Sequence, residues 1–352
     1  MFSLFSKEEK YVFGGYIRDK KTRFESTSGG AFSAIADAFC DENYVIFGAE
    51  AEGINVFHSY VKDKKELGKY RKSKYVQSRM ENCYGECRTF LTEGKKVLFS
   101  GTPCQIAGLK TFLNITETDT SNLLMVEVVC EGVPSSLYIK KYEQYLVKKY
   151  GGRIESIDYR YTGKTWFGNG KWDFQVMKIR LSDNKKTTIM DRWFNPFWTV
   201  WLSHLMSRPS CYECRFAVQD RVADITLGDL WGVHLYCPEL YGKNGGASLI
   251  VANTKKGKEV LKQVGRKMCG HELRFEDAVK YQSPMRKCIE TNKKRAEFMA
   301  DLQSEMTYEE LNKKWAKRPT IKLLFQKYIY GNRQRIFLWN IMHKGKREKV
   351  ND

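Results

Sequence analysis

Lys96-Val97-Leu98-Phe99-Ser100-Gly101-Thr102-Pro103-Cys104-Gln105 is the stretch whose reading decides the fold. Its first four residues read as a buried strand, and Ser100-Gly101 as the turn that ends it. Thr102 then fits a helix N-cap, Pro103 the first helical position, and Gln105 the place where a capping box puts Glu or Gln. Cys104 therefore falls in the first turn of a helix. Unpaired N–H groups and the positive end of the helix dipole favour a thiolate there, and the thiolate is the form that binds metal. The same order recurs downstream, where the apolar run Leu123-Leu124-Met125-Val126-Glu127-Val128-Val129 precedes Cys130 and Pro134 can open the next helix. Cysteines at the carboxyl ends of two strands stand where an open α/β sheet holds ligands.

A close pair, Cys211 and Cys214, lies in a turn-forming segment after Pro209. Together the four cysteines can aim thiolates at one metal centre, and an iron–sulfur site is the reading they suggest. The residues alone leave other readings open. A single cysteine often acts as a small buried hydrophobe, and C-x-x-C serves equally as half of a zinc knuckle or as a redox pair. The compact C-x2-C-x2-C-x3-C run of a bacterial ferredoxin is missing.

The words around these cysteines carry a resemblance. Cys130-Glu131-Gly132-Val133-Pro134-Ser135, Arg208-Pro209-Ser210-Cys211-Tyr212-Glu213-Cys214 and Asp229-Leu230-Trp231-Gly232 follow the stretch around Cys104. Ser26-Thr27-Ser28-Gly29-Gly30 and Ser73-Lys74-Tyr75-Val76-Gln77-Ser78 precede it. In this order they resemble the coenzyme F-420 hydrogenase/dehydrogenase beta-subunit family, over about residues 11–253. The resemblance implies a flavoprotein holding FAD beside one 4Fe-4S cluster and moving electrons between a reduced carrier and a substrate or protein partner. The carrier would be a deazaflavin coenzyme or a ferredoxin-type protein. Cys104, Cys130, Cys211 and Cys214 would then be the cluster ligands. Ser28, Gly29, Gly30, Lys74, Tyr75, Gln77, Ser100, Gly101 and Thr102 would line the FAD site. Such chemistry is physically coherent, because a Ser-Gly-Gly turn ahead of a helix brings N–H groups to a pyrophosphate and Lys74 supplies countercharge.

Two departures stand out. Residues 1–39 hold no cysteine, so any second cluster is expected on another protein. Glu131 stands where relatives commonly carry histidine, and a negative charge beside a cluster lowers its reduction potential.

The expected fold is mixed α/β (α+β), an open sheet flanked by helices with a β meander and a helical C-terminal extension. The resemblance divides it into an N-terminal beta-subunit-like domain over 1–92, an FAD/iron–sulfur domain over 93–253 and a basic helical extension over 254–352. Strands are expected at 12–18, 44–48 and 55–61, and helices at 31–39 and 79–91. The meander occupies 154–190, with strands at 156–161 and 174–181 and Gly168-Asn169-Gly170 between them. Exposed helices follow at 255–268 and 293–302, and Thr307-Tyr308-Glu309-Glu310 opens another with a capping box. The aromatic-rich stretch 193–205 either walls a planar cofactor or fills a core.

The remaining cysteines carry less. Cys83 and Cys87 share one helical face, where they either chelate or pack. Cys40, Cys237, Cys269 and Cys288 read as structural.

Composition sets the outer limits. With 352 residues the chain can bury a sizeable core. Ten cysteines without a secretory-type leader point to a reducing cytosol. No apolar run reaches the roughly 18 residues of a membrane span. Five histidines in no zinc-hydrolase pattern leave metallohydrolase readings without ligands. The formal charge is +19, and the last forty residues hold twelve Lys or Arg against Glu348 and Asp352. A basic segment over 313–352 suits an anionic membrane surface at its cytoplasmic face or an acidic electron carrier. The competing expectation is a solvated tail packing Leu323, Phe325, Ile329, Phe337 and Trp339 on the body. No RRM, KH or helix-turn-helix signature speaks for nucleic acid. From other classes, the alternatives are a basic binding protein with Cys211/Cys214 as a zinc knuckle, or a non-catalytic scaffold in a surface-polysaccharide pathway.

Overall fold

The computed structural model describes residues 10–165, 168–169, 176–182, 187–241, 246–331, 334, 337–338 and 341–342. Strand β1 (Tyr11–Ile17) leads into helices α1 (Lys20–Phe24) and α2 (Ala31–Phe39), then into the hairpin β2 (Tyr44–Glu52) and β3 (Asn55–Val61). After α3 (Cys83–Thr92) come β4 (Lys96–Gly101), α4 (Pro103–Ile115), β5 (Leu123–Val128) and α5 (Ser136–Tyr150). The next strands are β6 (Ile154–Tyr161), the two-residue β7 (Lys164–Thr165) and β8 (Gly168–Asn169), β9 (Val176–Leu181) and β10 (Thr187–Met190). Helices α6 (Pro196–Trp201) and α7 (Pro209–Tyr212) precede β11 (Ile225–Asp229), α8 (Val233–Tyr236) and β12 (Ser248–Ala252). The chain then runs through α9 (Lys255–Val264), β13 (Met268–Glu272), α10 (Phe275–Lys280), α11 (Arg295–Gln303), α12 (Tyr308–Trp315) and α13 (Ile321–Leu324).

Eight strands form one open sheet in the order β13-β1-β12-β11-β5-β4-β2-β3. Its centre, β11-β5-β4-β2, is parallel, and the flanking pairs are antiparallel. Parallel strands are covered on both faces, and β4 shows why Val97-Leu98-Phe99 is an unbroken apolar run. Leu98 joins the core beneath α2 and α9, while Val97 and Phe99 face Ile106 and Leu109 of α4. Each such fully buried side chain contributes about 2 kcal/mol of transfer free energy. The mixed α/β architecture expected from the sequence is the one observed. The expected meander is the antiparallel sheet β10-β9-β6, although Gly170 and 174–175 lie outside the described residues. It packs with α5, α6, α11 and α12 around Tyr138, Trp198 and Phe298.

Several boundaries differ for physical reasons. The helix expected from residue 79 starts at Cys83, because the backbone of Arg79 bonds to β3: its N–H donates to Val56 O at 3.0 Å and its carbonyl accepts from His58 at 2.8 Å. Pro134 does not open α5. Ser135 caps that helix, and Pro134 instead bridges Ser207. The helix expected over 255–268 ends at Val264, and Met268 begins a strand that pairs with β1. Helices α9 and α11 are not simply exposed: Val260, Leu261 and Val264 of one, and Phe298 and Leu302 of the other, are buried. In the tail, Phe325, Ile329 and Phe337 are exposed, against the packed alternative, and Trp339 lies outside the described residues.

Candidate functional site

A cleft of about 580 Å³ opens at the carboxyl ends of β4, β5 and β11. Loops carried by the strands form its walls, and side-chain hydrogen bonds hold those loops together. Thr27 Oγ1 accepts from the Ser73 backbone N–H at 2.6 Å, which joins the turn before α2 to the segment 73–78. Ser28 Oγ donates to the Ala247 carbonyl at 2.6 Å, tying the same turn to the start of β12. Gly30, the N-cap of α2, has φ +81°, a left-handed conformation that glycine adopts freely.

Ser28, Gly30, Lys74, Tyr75, Gln77, Ser100, Gly101 and Thr102 all border this cleft. Gly29 does not. It packs behind the wall, where a Cβ would stand 2.3 Å from the Gly15 carbonyl oxygen and 2.7 Å from the Ser248 nitrogen. Its requirement is close backbone approach to β1 and β12.

The expected strand–turn–helix around Cys104 is present in detail. Gln105 Oε1 accepts from the Thr102 backbone N–H at 2.9 Å and completes the capping box. Thr102 Oγ1 lies 3.2 Å from Cys104 Sγ, so hydroxyl and thiol share the first turn of α4.

Charge in the cleft is strongly constrained. Burial pushes the Lys74 ammonium down to about 8, against the opposing pull of Glu50. Its Nζ donates to the carbonyls of Arg71 (2.9 Å) and Lys72 (3.3 Å), with no carboxylate in ion-pair reach among the described residues. On the facing wall Arg160 pairs with Asp229 at the end of β11, its side chain only 2% exposed. Burial opposes that guanidinium charge, but Asp229 and then Tyr75 more than offset it. His58 is buried between Ser78 Oγ (2.6 Å) and the Ser100 carbonyl (3.0 Å). A carbonyl only accepts, so Nε2 carries the proton and Nδ1 accepts from Ser78. Desolvation pushes His58 down to about 4.

A second cavity of about 300 Å³ adjoins the first and is lined by Cys104, Cys130, Cys211 and Cys214 together. Cys104 and Cys130 border both spaces. The loops meet through a short antiparallel ladder: Ser135 N–H donates to the Met206 carbonyl (2.8 Å) and Arg208 N–H to the Val133 carbonyl (2.9 Å). Gly132, at φ +95°, makes the turn between them, where a Cβ would come within 3.4 Å of Cys211 Cβ. Burial pushes the Cys130 thiol up to about 12; the Gly132 N–H works against this, and the three other cysteines add to it. Arg208 Nη2 lies 3.9 Å from Cys104 Sγ, and its Nη1 donates to Gln77 at 3.2 Å. Behind the cavity, Arg221 pairs with the fully buried Glu127 of β5 and donates to the carbonyls of Phe216 (2.8 Å) and Val218 (3.0 Å). This clasp anchors the segment after Cys214. Burial pushes the Glu131 carboxyl up, while His204 and Arg192 oppose that shift.

Sequence reasoning missed His58, Arg160 and Cys288 as cavity residues. Cys288 lines the cysteine cavity, its thiol donating to the Tyr212 carbonyl at 3.0 Å. Asp229 and Trp231 stood inside a recognisable motif without an assigned role, and both border the cleft. Of the aromatic stretch 193–205, Trp198 and Trp201 are buried in the core and also edge the cleft. Cys83 and Cys87 are packed in the core under α3, burial pushing both thiols up to about 12.

Residues 94–277, a little over half of the chain, match the family described as the C terminus of the coenzyme F420 hydrogenase/dehydrogenase beta subunit. The chain belongs to the coenzyme F420 hydrogenase/dehydrogenase beta-subunit family. Of the cysteines lining the cavity, Cys104, Cys130, Cys211 and Cys214 fall inside the matched span and Cys288 lies beyond it. Membership in this beta-subunit family gives the chain a redox role in electron transfer. Among solved structures, a chain of the xenon-derivatised F420-reducing [NiFe] hydrogenase complex from Methanosarcina barkeri aligns over 79% of this chain and 87% of its own length, at 16% identity and a TM-score of 0.47. None of the curated proteins matches the chain.

Proposed function

We propose that this beta-subunit-family protein holds FAD in the large cleft and a 4Fe-4S cluster on Cys104, Cys130, Cys211 and Cys214, and that it passes electrons between a reduced carrier and a protein partner or substrate. The observation that carries the reading is the shared wall: the four cysteines surround one cavity, and two of them also border the adjoining cleft. Both spaces suit their occupants. The cleft has the volume of a cofactor pocket, mostly apolar with a few convergent polar groups. Among the described residues Lys74 bonds only to carbonyls, so a phosphate would supply its counter-anion, and the indole N–H groups of Trp198 and Trp201 are buried donors without a hydrogen-bond partner. Four thiols brought to one cavity suit an iron–sulfur cluster.

When bound, flavin exchanges electrons in pairs or singly and the cluster exchanges them singly. The chain's own residues bind and screen. Ser28 and Gly30 present the turn ahead of α2, Lys74 provides countercharge, and Arg208 places positive charge beside Cys104 Sγ. The reduced carrier would be a deazaflavin coenzyme or a ferredoxin-type protein. The test is cofactor analysis on protein purified without oxygen. Stoichiometric FAD with four iron and four labile sulfide per chain is expected of such a cluster; colourless protein carrying only zinc overturns the reading.

The tail belongs to the same proposal. No helix among the described residues is long and apolar enough to cross a membrane. Exposed Ile321, Phe325 and Ile329 on a segment rich in lysine and arginine favour peripheral contact with an anionic membrane surface.

A further inference from the structure

Away from both cavities, Cys237, Glu239 and His271 bring a thiol sulfur, a carboxylate oxygen and an imidazole nitrogen within 4.8 Å of one another. Local structure places them. Cys237 follows α8 and begins the 3-10 turn Pro238–Leu240, which carries Glu239. His271 stands on the edge strand β13, opposite Gly14 of β1. The Cys237 thiol donates to Glu239 Oε1 at 3.0 Å. His271 Nε2 lies 3.7 Å from that same oxygen, beyond hydrogen-bond distance. This nitrogen is buried and has no hydrogen-bond partner among the described residues. An orphaned buried ring nitrogen is destabilising unless something satisfies it.

We propose that Cys237, Glu239 and His271 form a Zn²⁺ site, separate from the four-cysteine cavity. Zinc takes sulfur at about 2.3 Å and nitrogen or oxygen at about 2.0–2.2 Å in a tetrahedron, so its ligand atoms stand roughly 3.3–3.8 Å apart. The observed atoms are within a small side-chain adjustment of that spacing. A thiolate with an imidazole selects zinc over Mg²⁺ or Ca²⁺, which take oxygen ligands. Thiolate and carboxylate together cancel the ion's two positive charges, which removes the penalty of burying net charge. Cys237 is buried, whereas the Glu239 and His271 side chains are 23% and 18% exposed, so the ion enters from solvent and a water completes its shell.

The site ties the 3-10 turn to the sheet edge, and the same segment reaches the cleft. Tyr236, next to Cys237, donates its hydroxyl to the carbonyl of cleft-lining Trp231 at 3.0 Å. Bound zinc therefore braces a wall of the cleft.

Zinc content of the full chain, dialysed against a weak chelator, tests the site. The Cys214→Ser parent should retain one zinc per chain that is lost in both Cys237→Ser and His271→Gln made in that background. Cobalt loading of the same parent should give thiolate-to-cobalt charge-transfer absorption that disappears in Cys237→Ser. Equal zinc in the parent and both variants, or no chelator-resistant zinc in the parent, overturns the proposal. Glu239→Gln, at the solvent-facing ligand, guards against misfolding and should weaken zinc affinity about tenfold or more. Unchanged affinity in that folded variant overturns the proposal as well.

Discussion

Around the cleft, three polar side chains find partners within the protein: His58 between Ser78 and Ser100, Arg160 against Asp229, Thr27 beneath Ser73. Around the cysteine cavity, Cys104 and Cys130 stand at strand ends, but Cys211, in the single turn of α7, and Cys214 just after it are held by a short ladder and the Arg221–Glu127 clasp. The difference teaches which site the sheet assembles by itself. The cleft is a product of strand-end geometry and internal hydrogen bonds. The cysteine cavity is closed by long-range contacts, and a ligand bound there adds its own cross-link to the fold.

The largest expected effect breaks that cross-link. Cys214→Ser should lose nearly all iron and labile sulfide while flavin absorbance per chain stays close to wild type, because serine is a harder and less readily ionised ligand. Cys269→Ser should keep both cofactors. Full iron and sulfide in the Cys214 variant would remove this cysteine from the ligand set.

Arg221→Met sharpens the comparison from the protein side. It leaves Glu127 buried without its cation and should destabilise the chain by about 3–5 kcal/mol in urea denaturation. Iron should fall more than flavin. A proportional loss of the two would mean that the clasp serves the whole fold rather than the cysteine loop.

Acid should act on the cleft through His58. Its folded value near 4 lies below the usual histidine value of 6.5, so the unfolded chain binds the extra proton first. The stability linked to this residue is complete above pH about 6.5 and falls by about 3 kcal/mol as pH drops toward 4. His58→Gln should flatten that part of the profile in urea midpoints taken across the range. An unchanged slope would assign the acid sensitivity elsewhere.

The smallest effect on the fold is expected in the tail. Truncation from Arg318 onward should shift stability by less than about 0.5 kcal/mol and leave flavin bound. Sedimentation with anionic vesicles should weaken, and in the intact chain it should weaken with added salt. Unfolding of the truncated chain would instead make these residues part of the core.

What could be read from the sequence follows the range of the interactions involved. The segment 96–105 was readable because strand, turn, cap and proline all act within ten residues, and the capping box formed as expected. Helix α2 and strand β3 match their expected limits for the same reason. Strand β13 was not readable: Met268-Cys269-Gly270-His271-Glu272 has no clean alternation, and its pairing with β1 spans most of the chain. The expected cleft residues lay mostly in recognisable words, whereas His58 and Arg160 become cleft residues only through partners 20 to 69 positions away. Cys237 looked solitary because His271 reaches it from another strand.

Thr102 and Cys104 occupy one helical turn that borders both cavities, so under the proposed function the two occupants would share that turn and their binding would be linked. Whatever factor one occupant contributes to the other's affinity by ordering that turn must be returned in full, since binding free energies around a closed cycle are reciprocal. Loss of iron should therefore weaken flavin affinity, and removal of flavin weaken iron binding, by the same factor, read as equal shifts in dissociation constant even while a tightly bound flavin stays stoichiometric.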